Sequence, residues 1–177
     1  MKYDPNIHRR RSVRLQGYDY SQAGAYFITI CTQGRECLFG AIENGEMMLS
    51  ECGQIAHDEW LKSAKIRSEI ELGEYVIMPN HFHGILIIGR GTARRAPTVE
   101  QFGQPVSGSL PTIIRAFKSA ITKRINEMRQ SPGVSIWQRN YFEHVIRNEA
   151  DYRRITEYVE NNPRQWEEDS LHPKWWL

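Results

Sequence analysis

YVIMPNHFHGILIIG, Tyr75 to Gly89, is the stretch whose reading decides the fold. Two apolar runs, Tyr75–Met78 and Gly84–Ile88, flank Pro79-Asn80 and then His81-Phe82-His83. Pro-Asn signals a tight turn, so the stretch predicts two antiparallel strands, Ile70–Met78 and His81–Ile88, joined as a hairpin. Residues two apart on a strand share a face, about 6.5 Å apart along the chain. His81 and His83 therefore project side by side, with Phe82 directed the other way. Two imidazoles on one face can chelate a divalent ion. A hydrogen-bonded pair at a strand end is the plainer alternative. As a metal site the pair is incomplete, and a third ligand has to come from elsewhere.

Working outward, AYFITICT (Ala25–Thr32) reads as a buried strand. Leu38–Ile42 and Met47–Leu49, around Glu43-Asn44-Gly45, read as a small hairpin. Ser50 and Glu51 open a helix whose apolar positions are Ile55, Trp60, Leu61 and Ala64. Residues 89–108 lack periodicity and read as a functional or disordered loop. Ser109 and Pro111 start a long amphipathic helix, with Ile113, Ile114, Phe117, Ile121 and Ile125 at helical spacing. A β-like segment around Trp137 and another at Tyr141–Ile146 follow. Asn148 with Asp151 caps a last helix that runs towards Asn162 and stops at Pro163. Without the small hairpin and the last helix, the order is that of the split β-α-β, ferredoxin-like arrangement: an α+β fold with helices packed on an antiparallel sheet. That fold serves metal nucleases, RNA-binding modules and metabolic enzymes alike, so it does not choose a function.

The bulk numbers set outer limits. A chain of 177 residues, 40% hydrophobic and 25% charged, reads as one globular domain. Its longest aliphatic run, Ile85–Ile88, is far too short to span a membrane, and no apolar segment follows the basic N-terminus. Cys31, Cys37 and Cys52 form no C-x-x-C pair and read as reduced thiols of a cytoplasmic protein. Net charge is only +2, but it is unevenly spread. Arg9, Arg10, Arg11 and Arg14 make one basic cluster; Arg115, Lys118, Lys123, Arg124 and Arg129 make another. Both could meet phosphates or simply face solvent. Acid collects near the end, in Glu157, Glu160, Glu167, Glu168 and Asp169.

The last helix, DYRRITEYVENNP, places Tyr158 and Asn162 four residues apart on one face, beside the apolar stripe of Tyr152, Ile155 and Val159. A half-exposed tyrosine one turn from an amide suits a nucleophile next to a metal ligand. Packing for the tyrosine and helix capping for Asn162 are the alternatives.

Taken together, MPNHFH, WQRNYFEHVIRN and DYRRITEYVENNP resemble the REP-associated tyrosine transposases, relatives of the small single-tyrosine transposases of insertion sequences within the HUH nuclease superfamily. The N-terminal RRSVRLQGYDYSQAGAYFITICT is similar to one branch of that family, and the resemblance runs over roughly residues 8–163. It implies that His81 and His83 hold Mg²⁺ or Mn²⁺, that Tyr158 is the nucleophile, and that Asn162 stands at the polar third-ligand position. Insertion-sequence relatives more often carry Gln there; Asn is one methylene shorter, which leaves room for a bridging water. The implied substrate is single-stranded DNA with a hairpin, nicked and rejoined through a 5′-phosphotyrosine by a nucleoid-associated protein. Arg9–Arg11 and Arg14 would contact phosphates, Tyr18 and Tyr20 would stack on bases, and Arg115 and Lys118 offer a second surface. The expected organisation is a DNA-contacting segment at 1–22, a catalytic domain at 23–163 and a Trp-rich tail at 164–177. His144 is assigned a structural role. The REP-associated branch favours a monomer acting in cis, whereas insertion-sequence relatives are dimers. The rival readings are a binding module of the same fold without catalysis and a metal phosphodiesterase that uses water.

Overall fold

The computed structural model describes residues 18–89 and 106–175. In chain order it contains β1 (Gly24–Cys31), β2 (Gly40–Glu43), β3 (Glu46–Leu49), α1 (Glu51–Ile66), β4 (Ile70–Met78), β5 (His81–Ile88), α2 (Leu110–Arg129), β6 (Phe142–Ile146) and α3 (Glu149–Asn161). The main sheet has the order β4-β5-β1-β6, with every neighbouring pair antiparallel. β2 and β3 pair separately as the small hairpin. This is the α+β, ferredoxin-like arrangement expected from the sequence, with α3 added to it.

Local chemistry accounts for the element ends. Asn44 and Gly45 both take positive φ, 53° and 79°, which a two-residue hairpin of the right twist requires. The Ser50 hydroxyl accepts from Gly53 N–H at 3.1 Å and caps α1. The Asn148 carbonyl accepts from Asp151 N–H at 2.9 Å and caps α3. Pro111 sits in the first turn of α2, where its missing N–H costs nothing.

Strand alternation then sorts the side chains. On β5, Phe82, Leu86 and Ile88 face α1 and α2 in the larger core. Phe82 packs there against Trp60 and Phe117, with ring centroids 4.7 and 5.4 Å away. The opposite face carries a smaller cluster of Phe27, Ile85, Ile155 and Val159 beneath α3. His81 and His83 continue the Ile85 row to the turn end of β5, so they emerge where the α3 cluster stops.

Two expectations need correction. The segment around Trp137 is no strand: it makes a single bridge to Thr32, and Trp137 itself is core. The segment from Pro163 is not a loose tail. It forms short 3₁₀ turns, Pro163–Glu168 and Pro173–Trp175, and buries Trp166.

Candidate metal and tyrosine site

His81 and His83 are 0% and 2% exposed, with ring centroids 4.5 Å apart. Each ring is oriented by a neighbour. His81 Nδ1 lies 2.8 Å from Asn80 Oδ1. The Asn80 amide nitrogen donates to the Leu171 carbonyl at 2.8 Å and the Arg35 carbonyl at 3.3 Å, so its oxygen is the acceptor. His81 therefore carries its proton on Nδ1, and Nε2 presents a lone pair to the site. His83 Nδ1 meets Thr29 Oγ1 at 2.8 Å across the β1–β5 pair. Outer partners of this kind fix ring orientation in metal sites.

Burial drives the charge state of both rings. It holds the His81 imidazole well below its ordinary value, helped by His83 and Arg35, with the Asn162 amide acting in the opposite direction. Burial alone pushes His83 down to about 3. Both rings are thus neutral at pH 7, the form in which imidazole binds metal.

Three buried polar atoms converge here without a hydrogen-bond partner: His81 Nε2, Asn162 Oδ1 and Asp169 Oδ2. His81 Nε2 and Asp169 Oδ2 stand 3.7 Å apart. Leaving such atoms unpaired costs about 1–3 kcal/mol each, more for a charged one. A carboxylate oxygen beside a neutral imidazole lone pair repels it. A divalent cation resolves that conflict, and ligand atoms of His81, His83 and Asp169 all lie within 4.8 Å of one another. Among the described residues this is the cluster of histidine, cysteine and acidic side chains that fits an ion.

Tyr158 stands over the same ground. It is 40% exposed, and its hydroxyl lies 3.3 Å from His83 Nε2. Burial and the Asp169 charge raise its phenol above the usual range, while the Asn162 amide opposes them. Asn162 itself is 2% exposed and ends α3, so the capping and site-lining readings hold together. Tyr158, Asn162 and Asp169 share a recess of about 250 Å³.

Asp169 was missed as a site residue, and the sequence held little to find it by. It is one of several acids in an aperiodic run. Its carboxylate is positioned by turn geometry, Oδ1 accepting from Leu171 N–H at 2.6 Å. Trp166, with its ring centroid 6.0 Å from that of His81, closes the far side.

The expected DNA-contacting residues are placed unevenly. Arg9, Arg10, Arg11 and Arg14 lie outside the described residues. Tyr20 is 5% exposed and belongs to the core, packed on Tyr18 and Tyr26, so its ring is not available to stack on a base. Tyr18 is half-buried against the same pair. Lys118 donates to the Gln138 carbonyl at 2.6 Å and to that of Arg139 at 3.2 Å, a tie between α2 and the Trp137 segment. Arg115 is exposed. Arg124 joins α2 to α1 through Glu59 at 2.9 Å.

No helix among the described residues is long and apolar enough to cross a membrane. No protein-family model matches the chain. An uncharacterized Haemophilus influenzae protein is 41% identical over an alignment of 179 positions that covers 97% of this chain and 97% of that one. A second Haemophilus influenzae protein, "Putative REP-associated tyrosine transposase", is 23% identical and covers 87% of this chain and 83% of its own. A solved REP-associated tyrosine transposase, bound to a REP hairpin, superposes with a TM-score of 0.57 at 23% identity, covering 86% of this chain and 73% of that one. The chain is similar to the REP-associated tyrosine transposases in sequence and shares the fold of the solved one, and it belongs to one family with its 41%-identical Haemophilus influenzae counterpart.

Proposed function

We propose that the protein is a transposase-like enzyme that nicks and rejoins single-stranded DNA beside a hairpin, with Tyr158 as the nucleophile and a divalent ion held by His81 and His83. The observation that carries this reading is the set of unpartnered buried atoms on His81, Asn162 and Asp169 next to an accessible tyrosine hydroxyl. His81 Nε2, His83 Nε2 and Asp169 Oδ2 would hold Mg²⁺ or Mn²⁺, with Asn162 completing the set directly or through water. When bound, the ion supplies Lewis-acid polarisation of a non-bridging phosphate oxygen and offsets charge developing in the transition state.

The protein's own groups have separable tasks. Tyr158 Oη attacks phosphorus; the P–O3′ bond breaks, the 3′-oxygen leaves and takes up a proton, and the 5′-phosphate stays on the tyrosine. The step exchanges one phosphodiester for another, so a second 3′-OH can reverse it without ATP. His83 is within reach of the phenol proton but is poorly suited to take it. Burial lowers the basicity of His83 and raises the phenol of Tyr158, so the two are poorly matched for that transfer. Its task is that of a neutral ligand whose Nε2 lone pair the ion would take up, and the phenol proton passes to solvent hydroxide. The solved relative is bound to a REP hairpin, which supports hairpin DNA as the substrate class here.

The test is to mix the protein with labelled single-stranded hairpin DNA from its own gene's flanks, with Mn²⁺, and run a denaturing gel. A covalent adduct that disappears in Tyr158→Phe and in His81→Ala/His83→Ala is the expected result. Cleavage that persists in Tyr158→Phe would assign the nucleophile to water. Tight binding with no cleavage under any metal would leave a binding module.

A further inference from the structure

A second cavity, of about 430 Å³, has Tyr158 and the ligand candidate His83 at its inner end and opens outwards between β6 and α3. Its apolar walls include Phe27, Ile155 and Leu171. At its mouth Phe142, on the outer strand β6, is 48% exposed, an aromatic face turned to solvent beside a polar site. Two polar residues of the lining, His144 and Arg154, are held by one carboxylate. Asp151 accepts from His144 Nε2 at 2.7 Å and from Arg154 Nη2 at 2.6 Å.

That carboxylate fixes what the cavity offers. Ionised Asp151 only accepts, so His144 donates from Nε2 and leaves Nδ1 as its second polar atom. Arg154 has five N–H donors and commits Nη2 to Asp151, so further donors remain. The cavity thus combines an aromatic wall with the donors of Arg154 and the oriented His144 ring, a combination that binds a flat heterocycle by its face and its edge. The sequence reading gave His144 a purely structural part; the pair it makes with Asp151 points instead to an oriented group at a cavity mouth.

We propose that this cavity takes the nucleobase adjoining the scissile phosphate, with Phe142 stacking on its face and His144 and Arg154 meeting its edge. The assignment of "adjoining" rests on the proposed function, because Tyr158 is a wall of both spaces: a phosphate at its hydroxyl leaves the neighbouring nucleoside at the cavity mouth. Arg154 and Phe142 are exposed, and neither belongs to the nicking machinery.

The experiment measures binding of Tyr158→Phe protein, which cannot form the adduct, to labelled hairpin DNA from the gene's own flanks carrying one abasic site at successive positions. Phe142→Ala and Arg154→Ala are each added to that background. One position is expected at which base removal weakens binding roughly tenfold and at which Phe142→Ala adds no further loss. Losses from Phe142→Ala and Arg154→Ala that are the same at every abasic position, or absent, would overturn the base pocket. Wild-type adduct formation is scored in parallel. An adduct without a non-additive position keeps the nickase and sinks the pocket, and the reverse pattern keeps the pocket and sinks the nickase. No binding of any hairpin sinks both.

Discussion

At the scale of single residues, the site is defined by atoms that lack partners more than by those that have them. His81 Nε2 and Asp169 Oδ2 face each other across 3.7 Å without a proton to share, since His81 keeps its proton on the Asn80 side. Asp169→Asn should therefore weaken Mn²⁺ binding by about 10–100-fold in calorimetry, judged by the effect of comparable changes around other metal sites. Tyr158→Phe should leave that affinity unchanged while abolishing the adduct. A loss of Mn²⁺ binding in Tyr158→Phe would mean that the phenol is a ligand and not a free nucleophile. The histidines add a pH dependence of defined sign. In the metal-free protein the His83 pKa falls from about 6.5 unfolded to about 3 folded, so the unfolded chain binds more protons throughout that window. Stability is full above pH 6.5 and declines as pH falls towards 3, by about 1.4 kcal/mol per pH unit for this group. Between pH 7 and pH 5, His83 should account for about 2 kcal/mol of the drop seen in urea denaturation, and His83→Gln should lack that part of it. Equal pH slopes in the two proteins would contradict the buried neutral assignment.

At the scale of elements, the helix that carries Tyr158 depends on a cap at one end and a close approach along its side. Asn148→Ala removes the bond to Asp151 N–H and should cost about 1 kcal/mol in a denaturation curve. Gly73 on β4 is the close approach. A Cβ there would come within 2.9 Å of both the Tyr152 hydroxyl and Ile85 Cβ, so Gly73→Ala has to shift β5 at Ile85 and displace the Tyr152 ring that ties α3 to β4. The expected cost is about 1–3 kcal/mol. Tyr158 moves with the helix, so nicking should fall by more than the lost stability accounts for at a temperature where the variant stays folded. Activity that tracks the folded fraction alone would show that α3 keeps its place. These elements were legible because each advertises itself locally: Asn-Gly for the hairpin, Ser50 and Asn148 as caps, the Pro79-Asn80 turn and the apolar run after it for β5. Gly73 was not legible as a contact point. Its meaning lies in Tyr152, on another element, and no local pattern records that meeting.

At the scale of the whole molecule, the boundary drawn after residue 163 hid part of the site. The Pro163–Trp175 segment has no periodicity, so it reads as a tail, yet it closes over the end of β5. Trp166 packs on His81 and His172, the Leu171 carbonyl accepts from Asn80, and Asp169 turns inwards. Spacing paired His81 with His83 and Tyr158 with Asn162, because each pair is local in the chain, and the family resemblance supplied the roles expected of them. Asp169 could not be found this way, because a non-repeating turn brings it to a strand some ninety residues earlier in the chain. The consequence is measurable. A chain ended at Asn162 keeps the sheet, both histidines and the tyrosine helix, but loses Asp169 and the shorter of the two bonds that hold the Asn80 side chain, that to the Leu171 carbonyl. Its Mn²⁺ affinity should therefore fall further than in Asp169→Asn, because His81 loses its orientation as well as the carboxylate. Trp166→Ala separates the two effects, since it opens the wall beside His81 and leaves Asp169 in the chain. The order expected in calorimetry is wild type, Trp166→Ala, Asp169→Asn and then the shortened chain, with circular dichroism confirming that each retains its sheet. Wild-type affinity in the shortened chain would reduce the segment to a cover and return the third-ligand role to Asn162.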